Sequence, residues 1–163
     1  INIRELVLPL IAIYGAASFG GIAGGWISSN FIRRGRSIDY ARKTSILICA
    51  LCVVPVMFTA RVPDLWSAVL LISVAAASHQ GWASNIFTVV SDIYPRGAVA
   101  SMVGLSGFGG AIGGALAASF VGFILDLTGS YMLIFGIAGT AYLLAWLILK
   151  LMIPRIETME NLG

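Results

Sequence analysis

The sequence has little charge. Only 10% of its 163 residues are Asp, Glu, Lys or Arg, against about a quarter in a soluble domain. With 59% hydrophobic residues and a mean hydropathy of +0.96, that deficit excludes a soluble globular domain and indicates an integral membrane protein. The net charge of +3 lies in loop clusters, so it reads as topology and gives no ground for nucleic-acid binding. Cysteine is scarce as well. Cys49 and Cys52 sit in an apolar run with no histidine nearby, so they read as small packing residues rather than a redox or metal pair. His79 is the only histidine. No metal-ligand cluster and no base beside a nucleophile is visible, which argues against an enzyme and implies no cofactor. Gly104-Leu105-Ser106-Gly107 lacks the Gly-Lys-Ser/Thr ending of a phosphate loop. There is no internal repeat and no low-complexity segment.

What is present is a series of apolar runs. A helix needs about 20 mostly apolar residues to cross the hydrocarbon core. Five runs meet or approach that: 6–32, 44–60, 65–90, 99–125 and 131–153. The expected fold class is therefore all-α integral membrane with five transmembrane helices, followed by a polar tail over 154–163 that is expected to fray. Five crossings put Arg33, Arg34, Arg36, Arg42, Lys43, Arg96, Lys150 and Arg155 on one side, and only Arg4 and Arg61 on the other. The positive-inside rule makes the first side cytoplasmic, with the N-terminus outside and the C-terminus inside a plasma membrane. An odd number of spans, an Ile start and no signal-peptide pattern lead us to expect a fragment of a larger bundle.

Two features break the apolar pattern. Ser78-His79-Gln80-Gly81-Trp82-Ala83-Ser84-Asn85 sets five polar side chains and a Trp at membrane depth. Polar groups there are costly unless paired, so such a cluster is a candidate functional site. At 100° per residue, Gln80, Ser84 and Thr88 share one stripe, Asn85 and Trp82 lie beside it, and His79 points roughly away from Gln80. Amides and hydroxyls on that arc suit a hydroxylated ligand, and the Trp face suits a sugar ring. The alternative is interhelical hydrogen bonding. No charged residue lies near the middle of any span, so a proton relay or a fixed positive charge for an anion must come from elsewhere. The second feature is glycine spaced by four. Gly20 with Gly24 and Gly21 with Gly25 recur in the first span, and Gly109 with Gly113 and Gly110 with Gly114 in the fourth. Small residues at that spacing let backbones approach closely, either as static packing or as faces that slide.

Gly24-Gly25-Trp26-Ile27-Ser28-Ser29-Asn30-Phe31-Ile32-Arg33-Arg34-Gly35-Arg36 resembles the glycine–basic loop after the eighth helix of the major facilitator superfamily. The run from His79 to Pro95 resembles the tenth helix and following loop of hexuronate-type members of its anion:cation symporter family, and Val103 to Gly114 resembles the eleventh helix. The resemblance implies helices eight to twelve of a twelve-helix carrier, missing its N-terminal half. It implies proton-coupled symport of a sugar acid such as glucuronate or galacturonate by alternating access. Coupling carboxylates and an anion-binding arginine are then expected in the N-terminal half. Gln80, Asn85, Trp82, His79, Ser84 and Thr88 become substrate-contact candidates. Gly25, Ser29, Arg33, Arg34 and Arg36 become cytoplasmic-gate and topology candidates. The family loop usually carries Ser-Asp where this chain has Ser28-Ser29-Asn30, which leaves open where the gate finds its acidic partner. The usual tenth-helix order is Trp-Ser-Ala-Asn, whereas here Ser84 follows Ala83, moving the hydroxyl onto the Gln80 stripe. Rival readings are a same-fold carrier of another organic anion (aldonate, tartrate or aromatic acid), a non-transporting scaffold subunit, and, third, a membrane enzyme.

Overall fold

The computed structural model describes residues 3–157, with side chains from Leu6 onward. It is helical throughout: α1 (Ile3–Arg33), α2 (Ile38–Val53), a 3₁₀ segment (Val54–Arg61), α3 (Leu65–Ile93), α4 (Arg96–Thr128) and α5 (Tyr131–Met152). The described residues contain no β-strand. The segments Leu6–Arg33, Ile38–Arg61, Arg96–Thr128 and Tyr131–Met152 are long and apolar enough to cross a membrane. With 29 residues α3 has ample length, about 44 Å. Its central polar run lowers its hydropathy, and α1 and α5 give Asn85 and His79 of that run partners.

The chain's local chemistry explains the breaks. Ser37 caps α2, its hydroxyl accepting from the Tyr40 N–H at 3.2 Å. Pro55 has no N–H to give the carbonyl of Leu51, so the α-pattern cannot continue, and residues 54–61 tighten into a 3₁₀ segment. Asp64 caps α3, accepting from the Ser67 hydroxyl at 2.6 Å and its N–H at 2.9 Å. Those two bonds hold its carboxyl below the usual carboxylate range. Gly129, in the left-handed region with φ of 61°, ends α4.

The second expected span therefore differs from the helix observed. α2 begins at Ile38, so Arg42 and Lys43, read above as loop charges, are helical and about nine-tenths buried. The tail also differs from expectation. Instead of fraying after Pro154, the chain folds back and buries Ile156 against Ile46 and Val89. Residues 158–163 lie outside the described residues.

Packing is concentrated on α2 and α3. Ala41, Ile46, Cys49, Ala50 and Val53 line the buried face of α2, against α1, α3 and α5. Outward-facing Phe19, Ile22, Phe108, Leu116, Phe123 and Leu151 are exposed, as lipid-facing residues would be. α1 and α3 cross backbone to backbone. A Cβ on Gly20 would overlap the Ala77 backbone, and one on Gly24 would overlap that of Gly81. A Cβ on Gly81 would meet Cys49 Sγ and the Gly20 carbonyl, each at 3.0 Å, so three helices converge there. By contrast, α4 has one buried residue, Ile124, and a Cβ on any of its seven interior glycines from Gly104 to Gly122 meets nothing within 4 Å.

Two substitutions in one helix separate these environments. Gly24→Ala should force α1 and α3 apart and cost about 1–3 kcal/mol. Gly15→Ala, which meets nothing within 4 Å, should stay within about 1 kcal/mol of the parent or gain from helix propensity. Detergent-titration unfolding of the two variants measures the difference, and equal effects would contradict the close crossing.

Candidate functional site

The polar run of α3 divides by direction. Residues 77, 81 and 85 recur every four and face α1, whose own row is 20, 24 and 28. Asn85 is 1% exposed. Its Nδ2 donates to the carbonyl of Gly24 at 3.0 Å and to that of Gly81 at 2.9 Å. Both amide hydrogens are thus spent on backbone, one of them across the helix interface. Its Oδ1 is buried and accepts no hydrogen bond among the described residues.

Gln80 lies on the flank of that crossing and is exposed. Its Cβ is 3.8 Å from where a Cβ on Gly21 would stand. Four-residue steps from Gly21 lead along α1 to Gly25 and Ser29, and from Gln80 along α3 to Ser84 and Thr88. A Cβ on Gly25 meets nothing within 4 Å, and Ser29 is exposed. The result is a smooth strip on α1 beside a polar strip on α3. The Ser84 hydroxyl donates to the Gly81 carbonyl at 2.9 Å, and that of Thr88 to the Ser84 carbonyl at 2.7 Å. Each oxygen keeps lone pairs to accept from a ligand, whereas the Gln80 amide can both donate and accept.

His79 and Trp82 turn toward α5. His79 Nδ1 lies 2.6 Å from the Tyr142 hydroxyl, and Trp82 meets the Tyr142 ring edge-on at 5.3 Å between centroids. The six substrate candidates therefore do not converge. Gln80, Ser84 and Thr88 share the open face, Asn85 is inside the α1–α3 contact, and His79 and Trp82 join α3 to α5.

The end of the bundle that carries the basic residues holds a clamp. Arg42 of α2 donates from Nε to Asp92 Oδ2 of α3 at 2.7 Å and from Nη1 to the Ser28 hydroxyl of α1 at 2.5 Å. Ser28 is fully buried, and the side chains of Arg42 and Asp92 are 10% and 19% exposed. Asp92 thus supplies the acidic partner that Ser29 does not. Arg33, Arg34 and Arg36 are exposed, and Arg36 stands 5.4 Å from the Tyr40 ring centroid. Sequence reasoning singled out those three arginines and passed over Arg42, Asp92, Asp39 and Lys43. The usable signal was Asp92 itself, an acid at the end of a polar helix whose loop faces the basic loop.

With this geometry in view, comparison with known proteins identifies the class. No family model matches the chain. The chain is similar to sugar-acid transporters. It is 29% identical over 153 residues to the probable galactarate/D-glucarate transporter of Bacillus subtilis, covering 92% of this chain and 33% of that protein. It is 32% identical over 129 residues to the protein of the same description from Pseudomonas putida, covering 76% of this chain and 26% of that protein. Against the D-galactonate transporter of Escherichia coli it is 28% identical over 109 residues, 67% of this chain and 25% of that protein. The chain thus spans a quarter to a third of the length of the curated relatives it matches. The relatives are described as transporters and not as enzymes, and four membrane-competent helices make the chain part of a multi-pass membrane protein.

The division of the polar run has a measurable consequence. Asn85→Ala removes an interhelical bond and leaves a gap at the crossing, and should cost about 2 kcal/mol of stability. Gln80→Ala, on the open face, should change stability by less than about 0.5 kcal/mol. Unfolding midpoints in detergent compare them, and equal losses would show that Gln80 is also a packing residue.

Proposed function

We propose that the chain is the C-terminal portion, helices eight to twelve, of an alternating-access carrier that imports a sugar acid together with a proton. The observation that carries this reading is the open face of Gln80, Ser84 and Thr88 beside the smooth strip of Gly21, Gly25 and Ser29, in a bundle whose other outward faces are largely apolar. Hydrogen-bonding groups facing outward from lipid-embedded helices need a cavity and a ligand to satisfy them. This face offers amide and hydroxyl groups and no charge, so it would hold the hydroxylated carbon chain of the substrate. The carboxylate and the proton then belong to the N-terminal half, which would complete the cavity.

The sequence resemblance favours a hexuronate, whereas the relatives are described by galactarate, glucarate and galactonate, which are open-chain acids. The geometry sides with the open-chain acids. Trp82, the residue suited to a sugar ring, is engaged with Tyr142. The remaining face is a narrow row of donors and acceptors, which matches hydroxyls along an extended chain. The basic end lies in the cytoplasm of a cell whose plasma membrane holds the carrier, and Ser28–Arg42–Asp92 closes that side in the outward-facing state. Gly25, Ser29, Arg33, Arg34 and Arg36 border that end as gate and topology residues.

Uptake by the intact carrier in proteoliposomes tests this. An inward proton gradient should drive accumulation of galactarate, glucarate or galactonate, with glucuronate and galacturonate competing more weakly. Gln80→Ala should raise KM about tenfold, the loss of one hydrogen bond to substrate. Equal competition by the ring acids would restore the hexuronate reading. Absence of uptake, with Gln80→Ala and Asn85→Ala both disturbing assembly with a partner, would favour a scaffold.

A further inference from the structure

The segment after α5 is fastened to α2 beside the clamp. The Ile156 N–H donates to Asp39 Oδ1 at 3.0 Å, and Lys43 Nζ donates to the Pro154 carbonyl at 2.8 Å and pairs with the same Asp39 oxygen at 2.5 Å. Trp146 Nε1 of α5 donates to the Lys43 carbonyl at 2.9 Å, closing the loop from α5 through the strap to α2. Ile156 is 5% exposed and packs on Ile46 and Val89, which are 0% and 4% exposed. Ile46 lies one turn beyond Arg42 on α2, and Val89 one turn before Asp92 on α3. The Ile156 side chain is therefore wedged between two helices, one turn from the ion pair that joins them. Ser37, Asp39, Asp92, Ile156 and Glu157 line one cleft, so the strap and the ion pair also share a surface.

We propose that Pro154–Glu157 is a latch, with Ile156 as a positioning residue that sets the Arg42–Asp92 pair and so favours the state closed at the basic end. At the end of two packed helices, a partly exposed ion pair can open as water reaches the charges. An apolar wedge packed against both keeps the guanidinium and carboxylate in register and excludes water from one side. The gating role rests on the carrier reading above, whereas the mechanical coupling does not.

The test uses the intact carrier and four variants: Ile156→Asn, Ile156→Leu, Arg42→Gln and the double variant Ile156→Asn with Arg42→Gln. Deuterium uptake over residues 89–94 should rise in Ile156→Asn and return toward the parent in Ile156→Leu, which conserves volume. In vesicles of both orientations, the ratio of KM at the two faces should shift about fivefold in Ile156→Asn, in the same direction as in Arg42→Gln. The double variant should shift no further than Arg42→Gln alone, because the wedge acts through the pair. Unchanged exchange over 89–94 in Ile156→Asn, or a double variant whose shift is the product of the two single shifts, would overturn the latch. If the parent carries no sugar acid while the exchange coupling holds, the carrier reading fails and the latch stands. If Ile156→Asn does not accumulate, Lys43→Met removes the strap's other fastening and is read in the same way.

Discussion

In hydrocarbon, two helices gain little by exchanging lipid contacts for leucine contacts, so association depends on how closely their backbones approach and on polar groups that need partners. Both conditions are met at one place in this chain. Gly20 and Gly24 of α1 sit against Ala77 and Gly81 of α3 with no room for a side chain. The same row then changes character as it runs toward the basic end. After backbone contact comes the amide of Asn85, and after it the Ser28–Arg42–Asp92 clamp. Cys49 brings α2 to the glycine level and Arg42 brings it to the charged level. The position of α2 is referred to this seam, and α5 packs on α2 and the 3₁₀ segment.

The charges at the basic end would be expensive if left bare. Arg42 and Lys43 are each about nine-tenths buried, and removing water from a cation costs several kcal/mol unless partners replace it. Arg42 finds Asp92 and Ser28, and Lys43 finds Asp39 and the Pro154 carbonyl. Those partners come from α1, α2, α3 and the strap, so charge satisfaction itself ties four segments together. This explains why the chain after α5 folds back onto α2: its carbonyl and N–H complete a hydrogen-bond set that α2 alone leaves open.

Much of this was legible in the sequence, and what was not follows a rule. The helices show in the apolar runs, and the outward turn of His79 from Gln80 shows in the 100° step. Pro55 marks where α2 must change pitch. Arg42 and Lys43 looked like loop residues because they abut Arg33–Arg36 in sequence, whereas their burial is decided by Asp92 and Pro154, 50 and 111 residues away. Asn85 looked like Gln80 because both are amides in one polar run. Its four-residue spacing from Gly81 and Ala77 was the signal that it faces α1. The glycine pairs of α1 and α4 look alike, yet only α1 meets a neighbour here, since spacing states what a helix can admit and not what it meets.

That contrast bears on movement. A carrier that rocks needs helix faces that can shift, and glycine strips are the natural candidates, but the α1–α3 seam cannot shift by a turn in either direction. Moving α1 by about 5.4 Å one way puts Ser28 where Gly24 was, and the other way puts Ala16 where Gly20 was. Either step places a Cβ against backbone at a position that admits none, and breaks the Asn85 bond to Gly24 as well. So α1 and α3 form one body, with α2 and the strap attached. The glycine faces left able to move are those of α4, which meet nothing within 4 Å. The polar strip of Gln80, Ser84 and Thr88 lies on the seam body, beside the smooth strip of Gly21 and Gly25. On the carrier reading, a ligand on that strip would rest on the rigid seam, and its binding would bias motion only through whatever moves against that body.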